Sequence, residues 1–228
     1  IATNTPSKPS KEQIINQALK FHSQGNISDA AKYYQYFIAQ GFNEHRVFSN
    51  YGLILKKVGK YKEAELFLKR AIELKPDFAD AYMNLGNLLK DLGKLKESEN
   101  FLRKAIELKP YNPKANYNLG NTLIELGQLE QAKKYTLKAI QLDPFYSLAY
   151  LNLGVILKDL GKLKDAEISL RKAIELKPDL AVAHYNLGNT LKDLGQLKQS
   201  VMYLLKAIEL NPQFVKSYYS LSSLMGAN

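Results

Sequence analysis

Asparagine stands at positions 16, 50, 84, 118, 152 and 186, one every 34 residues. A carboxamide offers an acceptor oxygen and a donor NH2, the same two kinds of group that each residue of a peptide main chain presents. A regular row of carboxamides is therefore suited to gripping an extended peptide through its backbone, largely independent of the peptide's side chains. Other residues keep the same interval. Asn87, Asn121 and Asn189 follow the row three residues on, and Met83, Tyr117, Leu151 and Tyr185 immediately precede it. Lys56, Lys90, Lys158 and Lys192 lie six residues on, with Ile124 breaking the series, and Lys57, Asp91, Glu125, Asp159 and Asp193 come next. The expected peptide site is thus Asn50, Asn84, Asn118, Asn152 and Asn186, with Asn87, Asn121 and Asn189 beside them. Met83, Tyr117, Leu151 and Tyr185 act as apolar sockets. Lys56, Lys90, Lys158 and Lys192 favour an acidic side chain or a carboxylate.

Other chemistry has little footing. There are no cysteines, which removes disulfides, thiolate metal sites and thiol nucleophiles together. The histidines are His22, His45 and His184. His184 falls on the packing side of its helical pattern, and His22 on the groove side without a partner motif. No glycine-rich phosphate loop occurs. The sequence therefore predicts a non-enzymatic chain with no cofactor, no metal and no small-molecule substrate.

The elements that must position the asparagines follow from the period. "RKAIELKP" recurs at 103–110 and 171–178, and "KDLGKLK" at 90–96 and 158–164, both pairs 68 residues apart. Six units without insertion or deletion result: 11–44, 45–78, 79–112, 113–146, 147–180 and 181–214, then a partial unit or capping helix, 215–228. In the unit from Ala79, Tyr82, Leu85, Gly86 and Leu89 show the i, i+3, i+4, i+7 spacing of one helical face. Gly93 suits a C-terminal stop, Leu95, Ser98, Leu102, Ala105 and Ile106 form a second helix, and Pro110 ends the unit. Such a hairpin cannot bury its apolar face alone, but stacked copies can. Small residues at the eighth and twentieth places, such as Gly86 and Ser98, let the two helices approach closely.

This pattern resembles the tetratricopeptide repeat over residues 11 to about 226. The Leu-Gly pair is Leu85-Gly86, Leu119-Gly120, Leu153-Gly154 and Leu187-Gly188, and the closing proline is Pro76, Pro110, Pro144, Pro178 and Pro212. The signature's tryptophan is replaced by Phe48, Tyr82, Tyr150 and His184, and Asn116 departs from it. The resemblance implies an all-α fold, a right-handed α-solenoid superhelix of tandem 34-residue helix-turn-helix repeats. Its leading helices line a concave groove, where the asparagine row would lie. The row is similar to the asparagine ladder of protein O-linked N-acetylglucosamine transferases. The dicarboxylate clamp of chaperone-tail-binding members is incomplete, with Met83, Leu148 and Asn152 at places that need cations. Two alternatives stay open. The asparagines can be structural contacts between repeats, or merely inherited by duplication. The array can also be the substrate-presenting arm of a bacterial, cyanobacterial-type protein that continues into a transferase domain.

The net charge is +10, from 32 Lys and Arg against 22 Asp and Glu, and apolar residues make up 46%. Lysines are interleaved with carboxylates on every face, so a protein or extended, acidic peptide is the expected partner, with nucleic acid the less favoured reading. No apolar run is long enough to span a membrane. Residues 1–10 read as a flexible tail, and the absence of cysteine suits a cytoplasmic, reducing setting. The terminal segment, with Leu221, Leu224 and Met225, reads either as a solvating cap or as a surface for a partner, including a second copy.

Overall fold

The computed structural model describes residues 8–226, apart from the side chain of Met225. All regular structure among these residues is helical. The chain divides into two compact units, the first ending at Lys109 and the second beginning at Pro110. The first contains α1 (Lys11–Ser23), α2 (Ile27–Ala39), α3 (His45–Lys57), α4 (Tyr61–Leu74), α5 (Ala79–Asp91) and α6 (Leu95–Leu108). The second contains α7 (Pro113–Glu125), α8 (Leu129–Leu142), α9 (Ser147–Asp159), α10 (Leu163–Leu176), α11 (Ala181–Asp193), α12 (Leu197–Leu210) and α13 (Val215–Met225). Each odd-numbered helix leads a hairpin that its even-numbered partner completes. Leading helices start 34 residues apart throughout, from Lys11 to Val215. Most of the expected tail, residues 1–7, lies outside the described residues; its last member, Ser10, caps α1. Ser10 Oγ accepts from the Gln13 backbone N–H at 3.2 Å, and Gln13 Oε1 accepts from the Ser10 N–H at 2.7 Å.

Local chemistry sets each hairpin. Gly93 adopts φ +73° just past α5, where a β-carbon would be strained, and the Lys94 N–H reaches back to the Leu89 carbonyl at 2.9 Å. That turn reverses the chain within a few residues, so α6 returns along α5. The leading helix is then pressed against its partner through glycine. A β-carbon on Gly154 would lie 2.5 Å from Leu170 Cγ and 3.3 Å from the Ala166 carbonyl oxygen. The leucine four residues beyond the small residue thus fills the space above the glycine, a refinement of the sequence reading. Rings add to the same interface: Phe48 stacks on Phe67 with centroids 5.8 Å apart, and Tyr82 lies 6.1 Å from Phe101. Leu85, Leu88, Leu89 and Leu102 are fully buried, each contributing about 1.5–3 kcal/mol by leaving water.

Leading helices of neighbouring repeats touch at three places, α3 with α5 in the first unit and α7 with α9 and α9 with α11 in the second. Successive second helices make no comparable contact among the described residues. The leading helices therefore occupy the tighter, inner side of each unit, and the second helices the outer side. On that outer side, cations pair with carboxylates three or four residues away, as in Lys69–Glu65, Arg103–Glu99 and Arg171–Glu167. In α13, Tyr218 and Tyr219 are exposed while Leu221 and Leu224 are half-buried. Among the described residues no helix is long and apolar enough to cross a membrane.

The glycine contact yields a stability test with two signs. Gly154→Ala gains about 1 kcal/mol of helix propensity, but overpacking against Leu170 costs about 1–3 kcal/mol, so the denaturation midpoint should fall. In the preceding repeat Thr136 occupies the leucine's place, with its hydroxyl buried and unpaired. Thr136→Val removes an orphaned polar group worth about 1 kcal/mol or more, and its midpoint should rise.

Candidate functional site

The inner helices divide the asparagine row into two kinds of side chain. Four are held by the protein through their NH2 groups. Asn50 Nδ2 donates to Tyr34 Oη at 3.2 Å, Asn84 Nδ2 to Ser49 Oγ at 3.2 Å, and Asn186 Nδ2 to the Val182 carbonyl at 2.8 Å. Asn152 Nδ2 donates to Asn121 Oδ1 across the α7–α9 junction. All four are half-buried. Using the donor fixes each side chain and leaves its Oδ1 as an acceptor. Asn87, Asn118 and Asn189 are also half-buried, but their carboxamides have no protein partner among the described residues. The row thus has an inter-repeat role and an unspent hydrogen-bonding capacity together.

The lysines are mostly committed. Lys56 Nζ lies 2.7 Å from Asp91 Oδ2, and Lys90 Nζ 3.1 Å from Asp91 Oδ1. Lys158 Nζ lies 3.2 Å from Asp193 Oδ2. The first and last of these pairs link a leading helix to the next one, 35 residues on. Burial pushes the Asp91 carboxyl up, yet hydrogen bonds and charge from Lys56 and Lys90 outweigh it and hold it below its ordinary value. Lys192 is half-buried, and the equivalent place 35 residues on is Ala227 rather than an acid.

The apolar places are less uniform than the spacing suggests. Tyr117 leans on Tyr146 with centroids 4.8 Å apart, and Tyr185 on Phe214 at 5.0 Å. Burial, with Tyr117 and Asp143 nearby, pushes the Tyr146 phenol up to about 12. Met83 is half-buried. Leu151 differs from the expectation of a groove socket: it is 7% exposed and belongs to the core cluster with Leu187 and Leu191. His184, read as a packing ring, is buried, and its Nε2 lies 2.9 Å from the Pro178 carbonyl oxygen.

Tetratricopeptide repeat models match residues 79–112, 101–134, 135–168 and 181–214, and a TPR repeat model matches 52–93 and 156–195. The chain belongs to the tetratricopeptide repeat family. No curated protein sequence matches it. Similar solved structures include YrrB, described as a TPR protein with an unusual peptide-binding site. It is 26% identical, with 84% of this chain and 98% of that chain covered and a TM-score of 0.65. PilF of Pseudomonas aeruginosa is 16% identical, with 93% and 97% covered and a TM-score of 0.81. TTC0263, a thermophilic TPR protein of Thermus thermophilus, is 22% identical, with 80% and 99% covered and a TM-score of 0.66. The last two likenesses concern the fold.

In this tetratricopeptide chain the first repeat carries a feature that the period conceals. His22 Nδ1 lies 3.1 Å from Tyr34 Oη, the oxygen that also accepts from Asn50. A further bond runs from Gln35 Nε2 to Tyr51 Oη at 2.7 Å. Neither contact recurs at 34-residue intervals, so no repeat pattern announces it. The signal available in the sequence was the departure itself, His22 standing where Lys56, Lys90, Lys158 and Lys192 stand in later repeats.

These geometries predict that the asparagines are not equivalent for stability. Asn84→Ala and Asn152→Ala should each lose about 0.5–1.5 kcal/mol through their broken bonds, whereas Asn118→Ala should leave the denaturation midpoint nearly unchanged. The histidines set a pH response. Burial, then Lys57, hold His22 below its ordinary value of 6.5, and burial likewise holds His45 down. The unfolded chain then binds protons first, so stability from these groups is full above pH 6.5 and is lost as the pH falls below it. Melting followed between about pH 7 and 5 checks the sign, and His22→Gln should reduce the slope.

Proposed function

We propose that the chain is a protein-interaction scaffold that holds an extended peptide segment against the inner faces of its leading helices, mainly through the peptide main chain. Membership of the tetratricopeptide repeat family supports the scaffold part of this reading, since such repeats typically serve non-catalytic assembly. The observation that carries the peptide part is the unspent hydrogen bonding of the asparagine row. Asn118 and Asn189 in the second unit, and Asn87 in the first, keep both a donor and an acceptor. Asn50, Asn84, Asn152 and Asn186 present fixed acceptors, because their NH2 groups are already bonded. Peptide N–H and C=O groups match such a set, and ligand binding then orders few side chains, which lowers its entropic cost. The half-buried rings Tyr117 and Tyr185 supply adjacent apolar surface. YrrB, which has a peptide-binding site, is a consistent neighbour.

Charge favours a peptide over nucleic acid. The outer lysines and arginines are largely paired with neighbouring glutamates, and three inner lysines with aspartates. The positive excess is dispersed rather than gathered into a stripe that could track phosphates.

A peptide array screened with the wild type and with the Asn118→Ala, Asn189→Ala double variant tests the proposal. Captured peptides should bind the double variant about tenfold or more weakly, as expected for two lost hydrogen bonds, with no loss of thermal stability. Methylating the peptide's backbone nitrogens should weaken capture further. Undiminished binding by the double variant would remove the asparagines from the mechanism.

A further inference from the structure

A rule of pairing joins successive leading helices, and the junction of α7 with α9 breaks it. Lys56 Nζ lies 2.7 Å from Asp91 Oδ2 between α3 and α5, and Lys158 Nζ lies 3.2 Å from Asp193 Oδ2 between α9 and α11. In each pair the lysine stands at the twelfth place of one repeat and the aspartate at the thirteenth place of the next, 35 residues on. The α7–α9 junction keeps the acid and lacks the base. Asp159 holds the thirteenth place of its repeat, and Ile124 stands 35 residues before it. The junction is otherwise formed: α7 and α9 touch, and Asn152 donates to Asn121 across it.

Asp159 is exposed, and its carboxylate has no ion pair or hydrogen bond among the described residues. The adjacent Lys158 is paired with Asp193. Asp159 is also the last residue of α9, as Asp91 and Asp193 are the last of α5 and α11. A negative side chain there adds to the partial negative charge of the terminal carbonyls instead of opposing it. At the ends of α5 and α11 a lysine from the preceding leading helix meets that charge. At the end of α9 no cation among the described residues does. Asp159 stands seven residues after Asn152, two turns along the same face of α9, so it shares the inner side with the asparagine row. Ile124 is half-buried. The side chains of Lys56 and Lys158 are likewise largely covered, with exposures of 17% and 30%. Methylene stems therefore pack at this place, and the ammonium groups emerge at the aspartate. Isoleucine matches the stem but has neither the length nor the charge to reach the acid.

We propose that Asp159 and Ile124 form a subsite for a lysine or arginine side chain of the bound peptide. The ligand's cation does for Asp159 what Lys158 does for Asp193. Its charged head pairs with the carboxylate, and its stem lies on Ile124. The proposal deepens the peptide reading above and rests on it. It also reverses the charge expected of the partner at this point, because Lys56, Lys90 and Lys158 are already met by aspartates and Asp159 is met by nothing. The net charge of +10 opposes basic ligands in general, so a preference for a cation would have a local origin.

Pull-down of short peptide libraries by the full chain tests this. The peptides are acetylated and amidated at their ends, with mixed uncharged residues around a central lysine, arginine or norleucine, the last an uncharged chain of similar shape. The lysine or arginine library should be captured about threefold or more better than the norleucine library, the gain of one partly exposed ion pair. The larger gain identifies the head group. Asp159→Asn should erase the difference and leave norleucine capture unchanged. Ile124→Lys should also erase it, by supplying the ammonium from within the chain, with a denaturation midpoint at or above that of the wild type. Asp179→Asn removes the same charge from an exposed turn of the second unit and should keep the difference. Equal capture of charged and norleucine libraries by the wild type, or a difference that survives Asp159→Asn, overturns the subsite and leaves the peptide reading standing. Capture of no library sinks that reading and the subsite with it.

Discussion

Gly52, Gly86, Gly120, Gly154 and Gly188 share one constraint: a methyl group on any of them would collide with the partner helix. The ideal β-carbon position lies 2.5–2.9 Å from a side-chain atom in all five cases. Contact at this distance fixes which side of each leading helix turns toward its own hairpin partner. The helix turns about 100° per residue, so the opposite side is fixed as well. The asparagines, lysines and aspartates reach the inner face because the glycines must face away from it. No residue on the inner face needs to enforce this orientation, which leaves that face free to vary.

The inner face uses its freedom in part to hold itself together. Asn84–Ser49, Asn152–Asn121, Lys56–Asp91 and Lys158–Asp193 all join neighbouring repeats. Each half-exposed contact adds little, about 1 kcal/mol or less, in a fold whose stability is a sum over neighbouring repeats. Their larger effect is to fix side-chain rotamers. A carboxamide with a tethered NH2 keeps its oxygen aimed in one direction, and a bound segment need not order it. In the peptide-binding reading proposed above, structural and ligand-facing roles are successive uses of different atoms in the same side chain.

The helices and their faces were readable because the repeat spacing is unbroken and the packing residues are small in number and type. Leu85, Gly86 and Leu89 appear on the packing side as the period requires. The finer site was legible only in outline. Period placed Asn84, Asn118 and Asn152 on one stripe, yet their bonding depends on what stands one repeat away: Ser49 for Asn84, Asn121 for Asn152. The aspartates at the thirteenth place were visible, but their reach to lysines 35 residues earlier is a product of helix offset that a single-unit wheel does not contain. Leu151 shows the same limit, since core membership there reflects how α9 packs with α10 and α11. His22 and Tyr34 occupy the places of Lys56 and Leu68 one period on, but the bond between them has no counterpart there.

The unbroken 34-residue register also makes the length of the second unit a free variable in evolutionary terms. Excision of residues 147–180 would join Tyr146 directly to Ala181, recreating the boundary found before Ser147, and Gly188 would inherit the place of Gly154. Asn121 would then meet Asn186 in the role of Asn152, while Asp193 would fall opposite Ile124 and lose its lysine. Recombination between such copies would preserve the scaffold while rewriting the polar lettering along its inner surface, one junction at a time.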